Sequence, residues 1–115
     1  MDIHQLAQLL RAFAAERDWD QFHTPKNLAA SISIEAAELL ELFQWTRGGS
    51  GWDELADEGL RERVQDELAD VLLYLIRFAD LGGFDLVEAA DAKLKKNAQK
   101  YPAGAFKGSD RKYNE

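Results

Sequence analysis

Two pairs of acids, Glu35 with Glu38 and Glu67 with Asp70, sit three residues apart inside the apolar stretches EAAELLELFQW and DELADVLLYLIRF. That spacing keeps both members of a pair on one side of a helix. With about 100° of rotation per residue, Leu28, Ile32, Leu39 and Leu42 all fall within roughly 60° of Glu35. Glu38 lies at the edge of this stripe, and Glu41 is farther round, toward solvent. The second stretch repeats the pattern. Leu60, Val64, Val71, Tyr74 and Phe78 surround Glu67, and Asp70 is at the edge. A buried, unpaired carboxylate is strongly disfavoured unless it takes up a proton or meets a cation. Arg63 and Arg77 fall nearer the edges, so no side chain of these two helices is placed to answer the acids. A divalent cation would. All-oxygen ligation suits hard Mg²⁺, with Mn²⁺ as the alternative. The competing reading is an acid pair on a solvated face, which a chain with 21 Asp and Glu makes easily. Two pairs centred on apolar stripes are harder to reach by chance, but spacing alone leaves both readings open. A di-iron carboxylate bundle requires Glu-x-x-His on inward helices. The sequence contains no such motif, and its histidines are His4 and His23.

The elements that position these acids read as helices. DIHQLAQLLRAFAAERD places Ile3, Leu6, Leu9, Leu10 and Phe13 at helical spacing. Thr24 followed by Pro25 is a start signal, and the spacing predicts a second helix from Pro25 to Trp45. TRGGSGW ends it with glycines. GGSG there lacks the Lys-Ser/Thr of a phosphate-binding P-loop. After the acidic segment DELADEGL comes a third helix over 60–81, closed by Gly82 and Gly83. DLVEAADAKLKKNAQKY is a fourth, stopped by Pro102, and residues 103–115 read as an irregular tail. No segment alternates as a strand does. The expected fold is all-α, a four-helix bundle formed by a single domain over residues 1–115. The third helix also carries Leu72, Leu73 and Ile76 on its other faces. It is apolar nearly all round, which suggests a partner subunit covering it.

The totals bound the function. The chain has 115 residues, a net charge of −7 and no cysteine. Such a charge argues against binding nucleic acid or an anionic membrane, though a cation can still mediate contact with a small anionic ligand. Without cysteine there is neither a disulfide framework nor thiolate chemistry, and a cytoplasmic location is expected. Residues 1–20 carry no basic leader followed by an apolar run, and no membrane span is expected.

The E-x-x-E and E-x-x-D motifs, about 28 residues apart, resemble those of the all-α nucleoside triphosphate pyrophosphohydrolases of the MazG-like superfamily. RDWDQFHTPKNLA, ELLELFQW, DELADVLLYLIR, KLKKNAQKYP and SDRKY are similar to blocks of its dCTP pyrophosphatase branch. The resemblance covers most of residues 17–113. It implies Mg²⁺-dependent cleavage of a (deoxy)nucleoside triphosphate, dCTP or a modified dCTP first, to the monophosphate and pyrophosphate. The implied metal ligands are Glu35, Glu38, Glu67 and Asp70, with Glu38 also the candidate to position or deprotonate the attacking water. The positions implied around the base are Trp19, His23, Asn27, Trp45 and Tyr74. Lys93, Asn97 and Tyr101 match positions that contact sugar and phosphates. The tail with Arg111 and Lys112 either folds over the nucleotide or is solvated. Assembly as a homodimer or homotetramer is implied as well. Where some relatives have an extra acid before the first motif glutamate, this chain has Ile34. A non-catalytic nucleotide- or metal-binding module, or an oligomeric adaptor, is the alternative.

Overall fold

Thr24 begins the helix that carries the first acid pair. Its Oγ1 accepts the Asn27 N–H at 3.2 Å, and Pro25 occupies the first helical position. In the computed structural model, which describes residues 1–46 and 51–110, helix α2 then spans Pro25–Glu41. It follows α1, Ile3–Glu16, whose Asp2 and Gln5 form a reciprocal capping box. Helix α3, Glu58–Gly82, starts where Asp57 accepts the Leu60 N–H. It ends at Gly83, whose φ of 76° is the left-handed cap that only glycine adopts without cost. The second unit, Phe84–Glu115, holds α4, Leu86–Lys100, and a single helical turn, α5, Ala103–Phe106. Among the described residues every regular element is helical, and none is long and apolar enough to cross a membrane.

In the first unit, Met1–Gly83, α3 is the central rod, with α1 and α2 both packed on it. Ala7, Ala14, Leu28, Leu60, Val64, Ile76 and Ala79 form the buried core. The covered positions of α2 are Leu28, Ser31, Ile32, Glu35, Glu38 and Leu39, the stripe expected from its period, while Glu41 is exposed. Asp80 of α3 accepts from Arg11 of α1, with Arg11 Nε 2.6 Å from Oδ2, which holds the Asp80 carboxyl below its ordinary range. Between α1 and α2, Asp18 takes the left-handed region at φ 55°, and residues Asp20–Phe22 form a 3₁₀ turn. Replacing Thr24 by Ala removes an α2 cap. It is expected to cost about 1 kcal/mol, read as a lowered Tm with unchanged helical content.

Two expectations are corrected, the end of the second helix and the irregular tail. The second helix stops at Glu41 rather than Trp45, because the N–H groups of Leu42, Phe43 and Gln44 bond three residues back instead of four, tightening the chain into turns. Gly51–Ala56, overlapping the start of the acidic segment, is a 3₁₀ helix. The tail begins with α5, where Ala105 and Phe106 donate to the Pro102 carbonyl. The third helix is covered unevenly by its own unit. Ile76 is 1% exposed and Leu73 is half-buried, whereas Leu68, Leu72 and Leu75 remain exposed on one stripe. Residues 47–50 of the glycine-containing loop, and Arg111 and Lys112 of the tail, lie outside the described residues.

Candidate functional site

Packing α2 along α3 sets Glu35 and Glu38 opposite Glu67. One carboxylate oxygen from each lies within 4.8 Å of the other two. Glu35 Oε2 and Glu67 Oε2 are buried and have no hydrogen-bond partner. The Glu35 carboxyl is raised from 4.5 to about 7, chiefly because it faces Glu67, then by burial, and further by Glu38 and Asp70. Two carboxyls can hydrogen-bond each other only while one keeps its proton. Once both are ionised, these buried oxygens repel and accept nothing. A hard divalent cation fits this donor set: all ligands are oxygen, three are already gathered, and two lack any other partner. Asp70 is not one of the three. It is half-buried one turn along α3, lines the same cleft as Glu35, and has a side chain one methylene shorter than glutamate. The four expected acids are thus three that converge and a fourth beside them.

Beside the acids lies a cleft of about 380 Å³. Leu6, Leu9, Leu10 and Phe13 of α1 give it an apolar wall, and Glu35 and Asp70 an acidic one. A smaller cleft of about 250 Å³ reaches Asn27 and Ser31 on α2. Trp19, His23 and Tyr74 border both. The Trp19 indole is 43% exposed and packs edge-on to Phe13 with centroids 5.6 Å apart, a flat face held in place next to open space. Asn27 spends one amide donor on the Phe22 carbonyl at 3.0 Å, tying the 3₁₀ turn to α2. Trp45 follows the end of α2, is 88% exposed and lines neither cleft. Lys93, Asn97 and Tyr101 belong to the second unit. Lys93 is exposed on α4, and Asn97 is half-buried, its carbonyl accepting the Tyr101 N–H at 2.8 Å. The Tyr101 ring packs edge-on against Phe106.

Arg77, which lines the larger cleft, and its partner Asp20 were not assigned to the site from the sequence. Arg77, placed at the stripe edge by its spacing, is in fact buried, with its side chain 5% exposed. Its Nε donates to His23 Nδ1 at 3.0 Å, and its Nη2 donates to Asp20 Oδ1 at 2.6 Å. The available signal was that Arg77 lies seven residues beyond Asp70, on the same helix face. The His23 imidazole is pushed below its ordinary pKa, first by burial and then by the Arg77 charge, with Asp20 opposing. His23 is therefore held neutral.

The chain is similar to known proteins over most of its length. The sequence model described as the MazG-like family matches residues 30–115. dCTP pyrophosphatase 1 of Homo sapiens is 41% identical over 113 residues, and that of Rattus norvegicus 39%. Each alignment spans 98% of this chain but 66% of the relative, so the chain is about two thirds the length of the curated proteins it matches. The solved structure of a pyrophosphatase from Archaeoglobus fulgidus superposes with a TM-score of 0.79 at 47% identity, covering 86% of this chain and 91% of that one.

Proposed function

The chain belongs to the MazG-like family, and on that premise we propose that it hydrolyses (deoxy)nucleoside triphosphates, dCTP or a modified dCTP foremost, to the monophosphate and pyrophosphate. The observation that carries this reading is the convergence of Glu35, Glu38 and Glu67 with two buried, partnerless oxygens, beside a cleft bordered by Trp19. Relatives named for dCTP and a structural neighbour named a pyrophosphatase support it.

Glu35, Glu38, Glu67 and Asp70 would hold Mg²⁺, or Mn²⁺ in its place. The cation, when bound, offsets triphosphate charge and makes a bound water more acidic. The remaining work falls to the chain. Glu38, at the stripe edge, orients the attacking water and takes its proton. Trp19 offers a flat face to the base, and His23, Asn27 and Tyr74 offer polar groups around it. Trp45 joins them, and Lys93, Asn97 and Tyr101 offer polar groups to sugar and phosphates; a single domain built as a four-helix bundle is part of the same reading. The exposed stripe of Leu68, Leu72 and Leu75 supports assembly as a homodimer or homotetramer. The net charge of −7 supports an enzyme that takes neither nucleic acid nor an anionic membrane as partner, and a cytoplasmic location is part of the same reading.

The test is a panel of dNTPs and NTPs with Mg²⁺, scored for monophosphate and pyrophosphate in equal amounts. dCTP and its 5-modified forms are expected to turn over fastest, and chelation to stop the reaction. Negligible turnover of every nucleotide removes the proposal.

A further inference from the structure

Arg77 is the one buried charged residue among the described residues. A guanidinium withdrawn from water is costly unless each side of its fork is answered. Asp20 answers the charge at 2.6 Å, yet Asp20 is itself 61% exposed. An ion pair alone did not require this arginine to be buried, because the long side chain could have met Asp20 in solvent. What burial adds is the second bond, from Nε–H to His23 Nδ1 at 3.0 Å.

That bond determines where the imidazole carries its proton. Arginine does not give up a proton in a protein, so the Nδ1 facing it must present a lone pair. The ring is then protonated at Nε2 only. A second proton, on Nδ1, would point an N–H at an N–H and set one cation against another. The fork also holds the ring from a fixed direction: Arg77 is anchored in the core of α3 and tied at its other arm to the turn bearing Asp20. Among the described residues Nε2–H has no partner of its own. His23 borders both clefts, with Trp19 and Tyr74 beside it in each. A ring that can only donate, held still in cleft walls it shares with an indole and a phenol, recognises an acceptor.

We propose that Arg77 is a positioning residue for the reaction. Its buried guanidinium holds His23 as the neutral, Nε2-protonated tautomer and so presents a fixed donor to a hydrogen-bond acceptor on the nucleotide's base. This rests on the nucleotide-hydrolysing reading above. It assigns a task to a residue seated outside the acid cluster, acting through His23 and not on the reacting atoms. Arg77 also clips the Asp20–Phe22 turn to α3, and a purely structural role would end there.

Two measurements separate the roles. Long-range ¹H–¹⁵N correlation on the wild-type chain, without metal or nucleotide at pH 7.5, reads the tautomer of His23 directly. A single Nε2–H form is expected, and an Nδ1–H form or an imidazolium overturns the proposal. This reading uses no variant and no turnover, so it stands whether or not the chain hydrolyses nucleotides. The second is a cycle of Arg77→Met and His23→Phe, with dCTP and Mg²⁺ as the probe. Arg77→Met is expected to raise KM about five- to tenfold with kcat within about twofold, the effect of one lost binding hydrogen bond. In the His23→Phe background the same change should add nothing further, because Arg77 acts through the imidazole. Arg77→Lys, which keeps the charge and one donor, should recover part of the KM. An unchanged KM in Arg77→Met, or an equal increase in both backgrounds, overturns the proposal. If the wild type turns over no nucleotide, it is the functional reading that has failed. The dCTP dissociation constant, read from tryptophan fluorescence, then replaces KM in the same cycle.

Discussion

Glu38→Gln is expected to lower kcat for nucleoside triphosphate hydrolysis by about 10²–10⁴ while leaving the fold intact. The amide keeps the shape of the side chain but can neither take a proton from water nor give a full charge to a cation. Glu35→Gln and Glu67→Gln are expected to lose activity as completely, and to differ from Glu38→Gln in stability. Glu35 Oε2 and Glu67 Oε2 are buried without partners, so in the metal-free protein each is a local liability. An amide at either position removes one charge and supplies an N–H to the facing carboxylate. The metal-free Gln variants at 35 and 67 should therefore be more stable than the wild type, by on the order of 1 kcal/mol. Loss of activity with gain of stability is the signature of a site kept under strain for function. Thermal melts in EDTA beside pyrophosphate assays check both halves, and a destabilised Glu35→Gln would contradict the account.

The second large effect is the response to pH and metal together. Glu35 has an ordinary value of 4.5 and stands at about 7 in the folded chain, so the folded state binds the extra proton more tightly. Its contribution to stability is complete below the unfolded value and fades as pH rises through about 7. The metal-free protein should lose Tm as pH rises from 4.5 through about 7 on this account. His23 acts in the opposite sense. Its lowered folded value favours the neutral ring, so its contribution is lost as pH falls below the ordinary histidine range. Asp80, held low by Arg11, matters only in more acid solution. Subtracting the Glu35→Gln curve from the wild-type curve isolates the carboxylate. Mg²⁺ should reverse the trend, because it compensates the ionised acids. At about a hundredfold excess over Kd it is expected to raise Tm by roughly 10 °C, more at pH 8 than at pH 6. A Tm indifferent to Mg²⁺ at pH 8 would remove the metal from the account.

The acids were legible from the sequence because a helix converts spacing into direction. Glu35 and Glu67 fall at the centre of stripes whose other members, Leu28, Ile32, Leu60 and Val64, are all covered in the fold. Thr24-Pro25 and the glycine at 83 marked element ends for equally local reasons. The end of α2 was not legible. Leu42 and Phe43 continue an apolar pattern with no proline or glycine before residue 48, and the chain leaves the helix through turns that no local residue announces. Arg77 was misplaced for a different reason. A guanidinium is buried only where partners meet it, and its partners are 57 residues away for Asp20 and 54 for His23. Spacing along one helix says nothing of a carboxylate delivered by a distant turn. Spacing set Glu38 and Asp70 alike at the edges of their stripes, whereas the converging oxygens belong to Glu35, Glu38 and Glu67, the three longer side chains.

The central claim is that Glu35, Glu38 and Glu67 together form a seat for a doubly charged cation. Titrating Mn²⁺ into the chain at pH 8, with free Mn²⁺ followed by electron paramagnetic resonance, tests it without recourse to turnover. Saturable binding by the wild type, displaced by Mg²⁺ and abolished in Glu35→Gln, is the predicted result. Equal uptake by both proteins, or none by the wild type, would contradict it.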